Sequence, residues 1–224
     1  MPDVTFNGPE GRIEAKFFQQ KDPTAPIAVV MHPHPLHGGT MNNKVTYRIF
    51  ETFVRCGFTV LRFNFRGVGN SESSYDNGVG ELSDAAAALD WLHSQNPHAR
   101  EIWIAGFSFG AWITMQLLMR RPDVKRFIAV SPPASNYDFS FFSPCPTSGL
   151  VTVGTADEIT PADDIEALLK KTTRQKGVKI HFAKIPGADH FYVQQQDDLG
   201  KLLTNYIVQN SGAENTPAAA RSAK

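Results

Sequence analysis

The chain has 224 residues, a length that suits one domain with a sizeable core. It carries 22 Lys and Arg residues against 22 Asp and Glu residues, which gives a formal net charge of +0 without a dense basic run. This balance excludes the electrostatic signature of binding to nucleic acid or to an anionic membrane, so we expect a small-molecule ligand.

The sequence predicts neither a secretory signal at its start nor a membrane-spanning segment. The first residues lack a basic region followed by an apolar core, and no window approaches 18 uninterrupted apolar residues. We therefore expect a cytoplasmic protein that does not act at a membrane. The small, polar segment 211–224 has no apolar periodicity, which predicts a disordered tail after one domain over residues 1–210.

Apolar runs suited to buried strands alternate with amphipathic helical patterns along the chain. These runs predict eight strands, over residues 4–6, 12–18, 27–31, 59–65, 101–105, 126–130, 150–154 and 179–185. The first two strands flank Asn-Gly and Pro-Glu-Gly, which favour a hairpin. The rest predicts an α/β domain with helices around a mostly parallel sheet. Residues 131–149 form the only long unassigned loop, so we expect no separate lid domain.

Two of the predicted helices have defined ends in the sequence. One begins at Phe109 and is expected to stop at Pro122, because proline cannot continue a helix. The other is expected to be capped by Thr160, with Pro161 at its first helical position.

The loop after the predicted strand 27–31 reads HPHPLHGGT and has three histidines, His32, His34 and His37, in an H-x-H-x-x-H pattern. The H-x-H-x-D-H signature of metallo-β-lactamase-like hydrolases has a carboxylate where this chain has Leu36. A binuclear metal site needs that carboxylate and further ligands downstream. A metal-dependent hydrolase is therefore kept only as an alternative, and no metal is assigned.

The segment Gly106-Phe-Ser-Phe-Gly110 matches G-x-S-x-G and lies between a predicted strand and a predicted helix. That placement is typical of a nucleophile elbow, in which the serine occupies a strained turn and the flanking glycines allow strand and helix to approach closely. Ser108 is therefore the predicted nucleophile. The N–H of Phe109, at the helix N-terminus, is the first predicted donor to an oxyanion.

A serine nucleophile requires a histidine base and a carboxylate that orients the histidine. Asp157 follows a predicted strand, and His190 follows the last one. We predict these two as acid and base, with Glu158 as the competing acid. The order Ser, Asp, His is the one expected on an α/β-hydrolase fold.

With these residues, the chain resembles the α/β-hydrolase superfamily over residues 1 to about 210, and within it the small, lidless bacterial hydrolases of the dienelactone-hydrolase-like kind. Arg66, Gly67, Gly69 and Ser71 also resemble the R-G-x-G-x-S turn that many members carry, which we interpret as structural. Dienelactone hydrolases use a cysteine nucleophile, and Ser108 departs from that pattern. The resemblance implies hydrolysis of esters or related acyl bonds.

The resemblance also implies that the loop after strand 27–31 supplies the second oxyanion donor. Pro33 and Pro35 have no N–H, which leaves His34 or, failing that, Leu36. We predict that His34 contributes its backbone N–H and not its imidazole.

The predicted function is hydrolysis of small carboxylic esters or thioesters through a covalent acyl-enzyme, without a cofactor, by a monomer or homodimer. A serine peptidase, an acyltransferase and a catalytically silent binding module remain alternatives. Four apolar or aromatic side chains are predicted to contact the acyl substrate: Leu36, Tyr137, Phe139 and Phe142.

Overall fold

The computed structural model describes residues 3–212, so most of the predicted tail, residues 213–224, lies outside the described residues. Eight strands form one sheet in the order β1-β2-β4-β3-β5-β6-β7-β8, which confirms the predicted α/β architecture. The strands are β1 (Asp3–Gly8), β2 (Gly11–Phe18), β3 (Ile27–Met31), β4 (Thr59–Phe63), β5 (Ile102–Phe107), β6 (Val124–Val130), β7 (Gly149–Gly154) and β8 (Ile180–Ile185). The pairs β1–β2 and β2–β4 are antiparallel, and all other pairs are parallel.

Helices cover both faces of the sheet, so the central strands β3, β4, β5 and β7 are buried at every position and predominantly apolar. In β3, Ile27, Val29 and Met31 belong to one buried cluster, whereas Ala28 and Val30 belong to the other. Alternate side chains of a strand point to opposite faces, which explains why continuous apolar runs predicted these strands. The helices are α1 (Lys44–Arg55), α2 (Val79–Gln95), α3 (Phe109–Leu118), α4 (Ala162–Lys171) and α5 (Gln196–Asn210).

Two predicted helix ends are wrong. Helix α3 ends at Leu118, four residues before Pro122, because the next N–H groups bond to carbonyl groups three residues back, in a tighter turn. Thr160 does not cap α4: Pro161 takes the capping position, and the helix begins at Ala162. The polar groups of Thr160 are bonded to Asp157 instead.

The R-G-x-G-x-S segment is a structural turn, as its sequence indicated. The Ser71 hydroxyl donates to the carbonyl of Asn64 at 2.7 Å and accepts the N–H of Glu14 at 3.0 Å. Arg66 forms a two-pronged ion pair with Asp84, at 2.8 and 3.0 Å, and both side chains are buried. These bonds fix the end of β4 beside the loop that begins at His32.

The loop between β6 and β7 is the place where a lid could be inserted. Over residues 131–148 it contains one 3₁₀ turn, Ser140–Phe142, so the described part of the chain has no separate lid domain. None of the helices within residues 3–212 combines the length and the apolar character needed to cross a bilayer.

Candidate active site

Ser108 lies at the sharp turn between β5 and α3, with φ 54° and ψ −119°. A non-glycine residue with positive φ is strained, so the surrounding structure must impose this conformation. The two flanking glycines show how close the elements are. A Cβ at Gly106 would clash with the carbonyl of Gly110, and one at Gly110 would clash with the carbonyl groups of Met31 and His32. The turn holds the Ser108 hydroxyl at the carboxyl edge of the sheet, where it is half-buried.

The predicted base and acid lie in line with Ser108. His190 Nε2 is 3.1 Å from Ser108 Oγ, and His190 Nδ1 is 2.8 Å from Asp157 Oδ2. The histidine and the aspartate are both buried. Glu158, the competing acid, is exposed, and the structure brings Asp157 rather than Glu158 to the imidazole. The three side chains can therefore pass a proton from Ser108 to His190 without rearrangement.

The Asp157 carboxylate is held by the loop that follows it. Its Oδ1 accepts the N–H groups of Ile159 and Thr160 at 3.0 and 2.8 Å. Its Oδ2 accepts the Thr160 hydroxyl at 2.7 Å as well as the imidazole. Burial alone would raise the pKa of Asp157, but the hydrogen bonds from His190 and Thr160 outweigh it and hold the pKa below its ordinary value. The acid therefore stays ionised beside the histidine at neutral pH.

Thr160 belongs to the candidate site, although its position in the sequence predicted a helix cap. Its hydroxyl and N–H both orient Asp157, and its side chain is 1% exposed. The signal was present, because a threonine three residues after an aspartate in a turn can donate to that carboxylate. The same pattern also fits a helix cap, and the following proline favoured that interpretation.

We expect the substitution Thr160→Val to lower kcat about tenfold and Thr160→Ser to restore most of it, because a hydrogen bond to a charged group contributes about 1.5–3 kcal/mol. Valine has the same shape but cannot donate to Asp157 Oδ2, whereas serine can. Steady-state kinetics of the two variants would check this. Equal losses in both would show that the hydroxyl does not orient the acid.

A second such residue, Tyr192, anchors the loop that carries His190. Its side chain is fully buried, and its hydroxyl lies 3.0 Å from the Ser131 hydroxyl at the end of β6. Its backbone has φ 53°, and its N–H donates to the carbonyl of Asp189. The Phe107 ring packs 4.9 Å from the imidazole of His190. These contacts fix the position of the base from two sides.

The two predicted oxyanion donors belong to neighbouring residues, because the His34 ring lies 5.1 Å from the ring of Phe109. Phe109 is the first residue of α3, where the N–H has no acceptor within the helix. No acceptor is bonded to the N–H of His34 among residues 3–212. The N–H of Leu36, in contrast, donates to His34 Nδ1 at 3.1 Å. Of the two donors that the sequence left open on this loop, His34 is thus the one whose N–H is available.

The imidazoles of His32 and His34, on the HPHPLHGGT loop, form hydrogen bonds and ring contacts with neighbouring residues. In His32, Nδ1 lies 2.6 Å from the carbonyl of Pro33, and Nε2 accepts the N–H of Phe65 at 3.0 Å. Both ring nitrogens of His32 are therefore engaged. The ring of His34 stacks on that of His37 at 4.3 Å, and its Nε2 lies 3.3 Å from the Tyr75 hydroxyl. Within the described residues, no group of three His, Cys, Asp or Glu side chains is arranged to hold a metal ion.

Complete burial lowers the pKa of His32 from 6.5 to about 4. In the unfolded chain His32 therefore binds a proton below pH 6.5, whereas in the folded chain it stays neutral until the pH falls to about 4. Stability contributed by the neutral ring is present above pH 6.5 and is lost as the pH falls towards 4. We expect this group to lower the free energy of unfolding by about 3 kcal/mol between pH 7 and pH 4.

Urea unfolding across that pH range would measure this effect. His32→Gln, which does not titrate and retains an acceptor for the Phe65 N–H, should reduce the slope of stability against pH. His98→Gln, at an exposed histidine, should leave the slope unchanged. Equal slopes in the two variants would contradict the prediction.

The four side chains predicted to contact the substrate differ in exposure. Leu36 is 67% exposed, and Tyr137 is half-buried with its ring 4.4 Å from that of Trp112. Phe142 is fully buried against Phe127 in the core. The placement predicted for Phe142 is therefore wrong: the aromatic loop folds back into the core at this residue.

Phe139 is also mostly buried, at 6% exposure, but one edge of it lines a cavity of about 490 Å³. The cavity lies between the loop after β6 and helix α4, with Tyr137 and Leu168 among its walls. Ser108 does not line it. Phe139 and Tyr137 are thus available to a ligand in this cavity, and the Tyr137 ring also lies 6.0 Å from that of Phe109, the residue after Ser108.

Comparison with known proteins places the chain among hydrolases. Residues 12–219 match the family model of X-Pro dipeptidyl-peptidase (S15 family). The chain is 50% identical over 212 residues to the uncharacterized protein RP471 of Rickettsia prowazekii (strain Madrid E), and the match covers 93% of this chain and 89% of that protein.

Two solved structures share the fold over nearly their whole length. Protein ATU1826 of Agrobacterium tumefaciens, whose function is unknown, is 49% identical, with a TM-score of 0.90 over 93% of this chain and 95% of that one. XC6422 of Xanthomonas campestris, an α/β serine hydrolase without a lid, is 31% identical, with a TM-score of 0.86 over 96% of each chain. These likenesses confirm the predicted α/β-hydrolase superfamily. The chain belongs to the S15 peptidase family of α/β serine hydrolases.

Proposed function

We propose that the protein is a carboxylesterase that cleaves esters or thioesters through a covalent acyl-enzyme. One observation carries the proposal: the continuous contact from Ser108 Oγ through the His190 imidazole to the Asp157 carboxylate, at 3.1 and 2.8 Å. This contact supplies a base for the serine and an orienting charge for the base. The reaction needs no group that the chain itself does not provide.

The chemistry follows from the placement of these atoms. Ser108 Oγ attacks the carbonyl carbon while its proton moves to His190 Nε2. The negative charge that develops on the carbonyl oxygen is stabilised by the N–H groups of Phe109 and His34. Collapse of the tetrahedral intermediate expels the alcohol or thiol, which takes the proton from His190. A water molecule then repeats the sequence on the acyl-enzyme, releases the acid and restores Ser108.

Cleavage of an amino-terminal dipeptide is the second candidate, because the matching family model is that of a peptidase. Such a reaction must bind a free ammonium group, which favours an available carboxylate near the nucleophile. Asp157 already accepts hydrogen bonds from His190, Ile159 and Thr160. On the loop after β6, the Asp138 carboxylate accepts the N–H and hydroxyl of Ser140, both at 2.8 Å. The engagement of Asp157 and Asp138 favours the esterase, and Glu158, which is exposed beside Asp157, is the carboxylate that a peptidase would have to use.

The test is a comparison of two chromogenic substrates on the purified full chain. We expect turnover of p-nitrophenyl acetate and little or no release of p-nitroaniline from alanyl-proline p-nitroanilide. A kcat/KM on the anilide that equals or exceeds that on the ester would assign the protein to the peptidases instead. Formation of methyl acetate at the expense of acetate, when methanol is added, would show acyl transfer.

A further inference from the structure

Exposed apolar side chains concentrate on the loops that hold the proposed catalytic groups. Among the described residues, seven large apolar side chains are exposed: Leu36, Tyr47, Val79, Ile159, Phe191, Val193 and Val208. Four of the seven lie on only three loops. Leu36 is two residues after His34, Ile159 is two residues after Asp157, and Phe191 and Val193 follow His190. We name these four side chains the apolar collar.

Local hydrogen bonds fix the collar relative to the proposed catalytic groups. The N–H of Leu36 donates to the imidazole of His34 at 3.1 Å, and the N–H of Ile159 donates to the carboxylate of Asp157 at 3.0 Å. The backbones of Leu36 and Ile159 are therefore hydrogen-bonded directly to side chains of His34 and Asp157. A loop whose backbone is already held in place loses little entropy when a ligand covers its side chains, which favours binding.

The other two residues of the collar are fixed around His190. The ring of Phe191 packs 5.2 Å from that imidazole and 6.2 Å from the ring of Phe107. The N–H of Val193 donates to the carboxylate of Asp189 at 3.0 Å. These contacts place the Phe191 ring directly beside the imidazole of His190, and Phe191 is still 47% exposed. Exposed apolar groups gathered on the loops around one site are typical of binding sites.

The charged residues near the collar favour an uncharged ligand. The three segments that carry the collar, residues 32–41, 155–160 and 186–193, contain no lysine or arginine. They do contain Glu158, which is exposed, and Asp189, which is half-buried. A chain that ends in a carboxylate would meet acidic neighbours without a cation to pair with, whereas a neutral hydrocarbon chain would not.

We propose that the apolar collar binds the hydrocarbon part of the acyl group, so that the preferred substrates are esters or thioesters of neutral, medium-length acids. This inference rests on the proposed esterase function. The acyl group is the part of the substrate that stays bonded to Ser108 through both steps, so contacts with it stabilise both transition states. Each methylene group that the collar covers should raise kcat/KM about two- to fourfold.

The test measures kcat/KM for p-nitrophenyl esters of two to eight acyl carbons with wild type and with the double variant Leu36→Ser/Phe191→Ser. We expect the octanoate-to-acetate ratio to exceed ten in wild type and to fall at least tenfold in the double variant. Val208→Ser is the matched control, because it removes an exposed apolar side chain of α5 that is 50% exposed and lies outside the collar. It should leave the ratio unchanged.

A second measurement does not depend on turnover. The Ser108→Ala protein should bind octanamide at least tenfold more tightly than acetamide, and the double substitution should remove the difference. Tight binding of octanamide by Ser108→Ala, together with no ester turnover by wild type, would refute the esterase function but support hydrocarbon binding by the collar. A flat dependence on acyl length in both measurements would overturn the collar. A wild-type dimer that the double substitution separates, with an unchanged ratio, would also overturn it and assign the surface to self-association.

Discussion

The substitution Ser108→Ala is expected to lower kcat for p-nitrophenyl acetate by a factor on the order of 10⁶, because loss of the nucleophile removes the covalent route. The fold should be retained. Alanine keeps the Cβ of serine, so the strained backbone at φ 54° meets the same steric environment in both proteins. The rate should be measured as initial release of p-nitrophenol, with Ser94→Ala as the control, since Ser94 is exposed at the end of α2.

A second substitution at the same position, Ser108→Gly, separates loss of the hydroxyl from the backbone strain at this turn. Ser108→Gly also lacks the hydroxyl and should be as inactive as Ser108→Ala. Glycine adopts positive φ at little cost, so it should raise the free energy of unfolding by about 1 kcal/mol relative to alanine. Activity within a few-fold of wild type in either variant would exclude Ser108 as the nucleophile. Loss of wild-type activity on chelation would support the metal-dependent alternative.

The sequence predicted the strands and the chain positions of Ser108, Asp157 and His190 well, and the reason is the parallel sheet. Every position of these central strands is buried, so each strand appears as a predominantly apolar run. In a parallel sheet the loops after the strands meet at one edge, which brings distant residues together. A polar residue just after such a run is therefore a good candidate for the site, wherever it lies along the chain.

The sequence predicted the side-chain partners within loops less well. Thr160 fits both a helix cap and a donor to Asp157, and only the three-dimensional position of the carboxylate decides between them. Phe142 and Tyr137 lie in one aromatic segment, yet one is in the core and the other is half-buried. The three histidines suggested metal ligands, but the close approach of Phe65 to His32 depends on the end of β4, which no local pattern encodes.

The substitution Asp157→Asn is expected to lower kcat by a factor on the order of 10⁴, because the amide would impose the wrong tautomer on His190. The position of the amide is decided by the loop. The Oδ1 site accepts two backbone N–H groups, from Ile159 and Thr160, so the amide oxygen must occupy it. The NH₂ group then takes the place of Oδ2 and donates to His190 Nδ1. The proton of the imidazole moves to Nε2, which can no longer accept a proton from Ser108.

The matched control is Glu158→Gln, which removes the same charge from the adjacent residue. Glu158 is exposed, so this variant should keep kcat within about twofold of wild type, as is usual for surface substitutions. Steady-state kinetics of both variants on p-nitrophenyl acetate separate orientation from simple loss of negative charge. If Glu158→Gln lost more activity than Asp157→Asn, the orienting acid would be Glu158. If both lost only a few-fold, the proton could move without a carboxylate on this loop, and orientation of His190 by Asp157 would be excluded as a requirement for turnover.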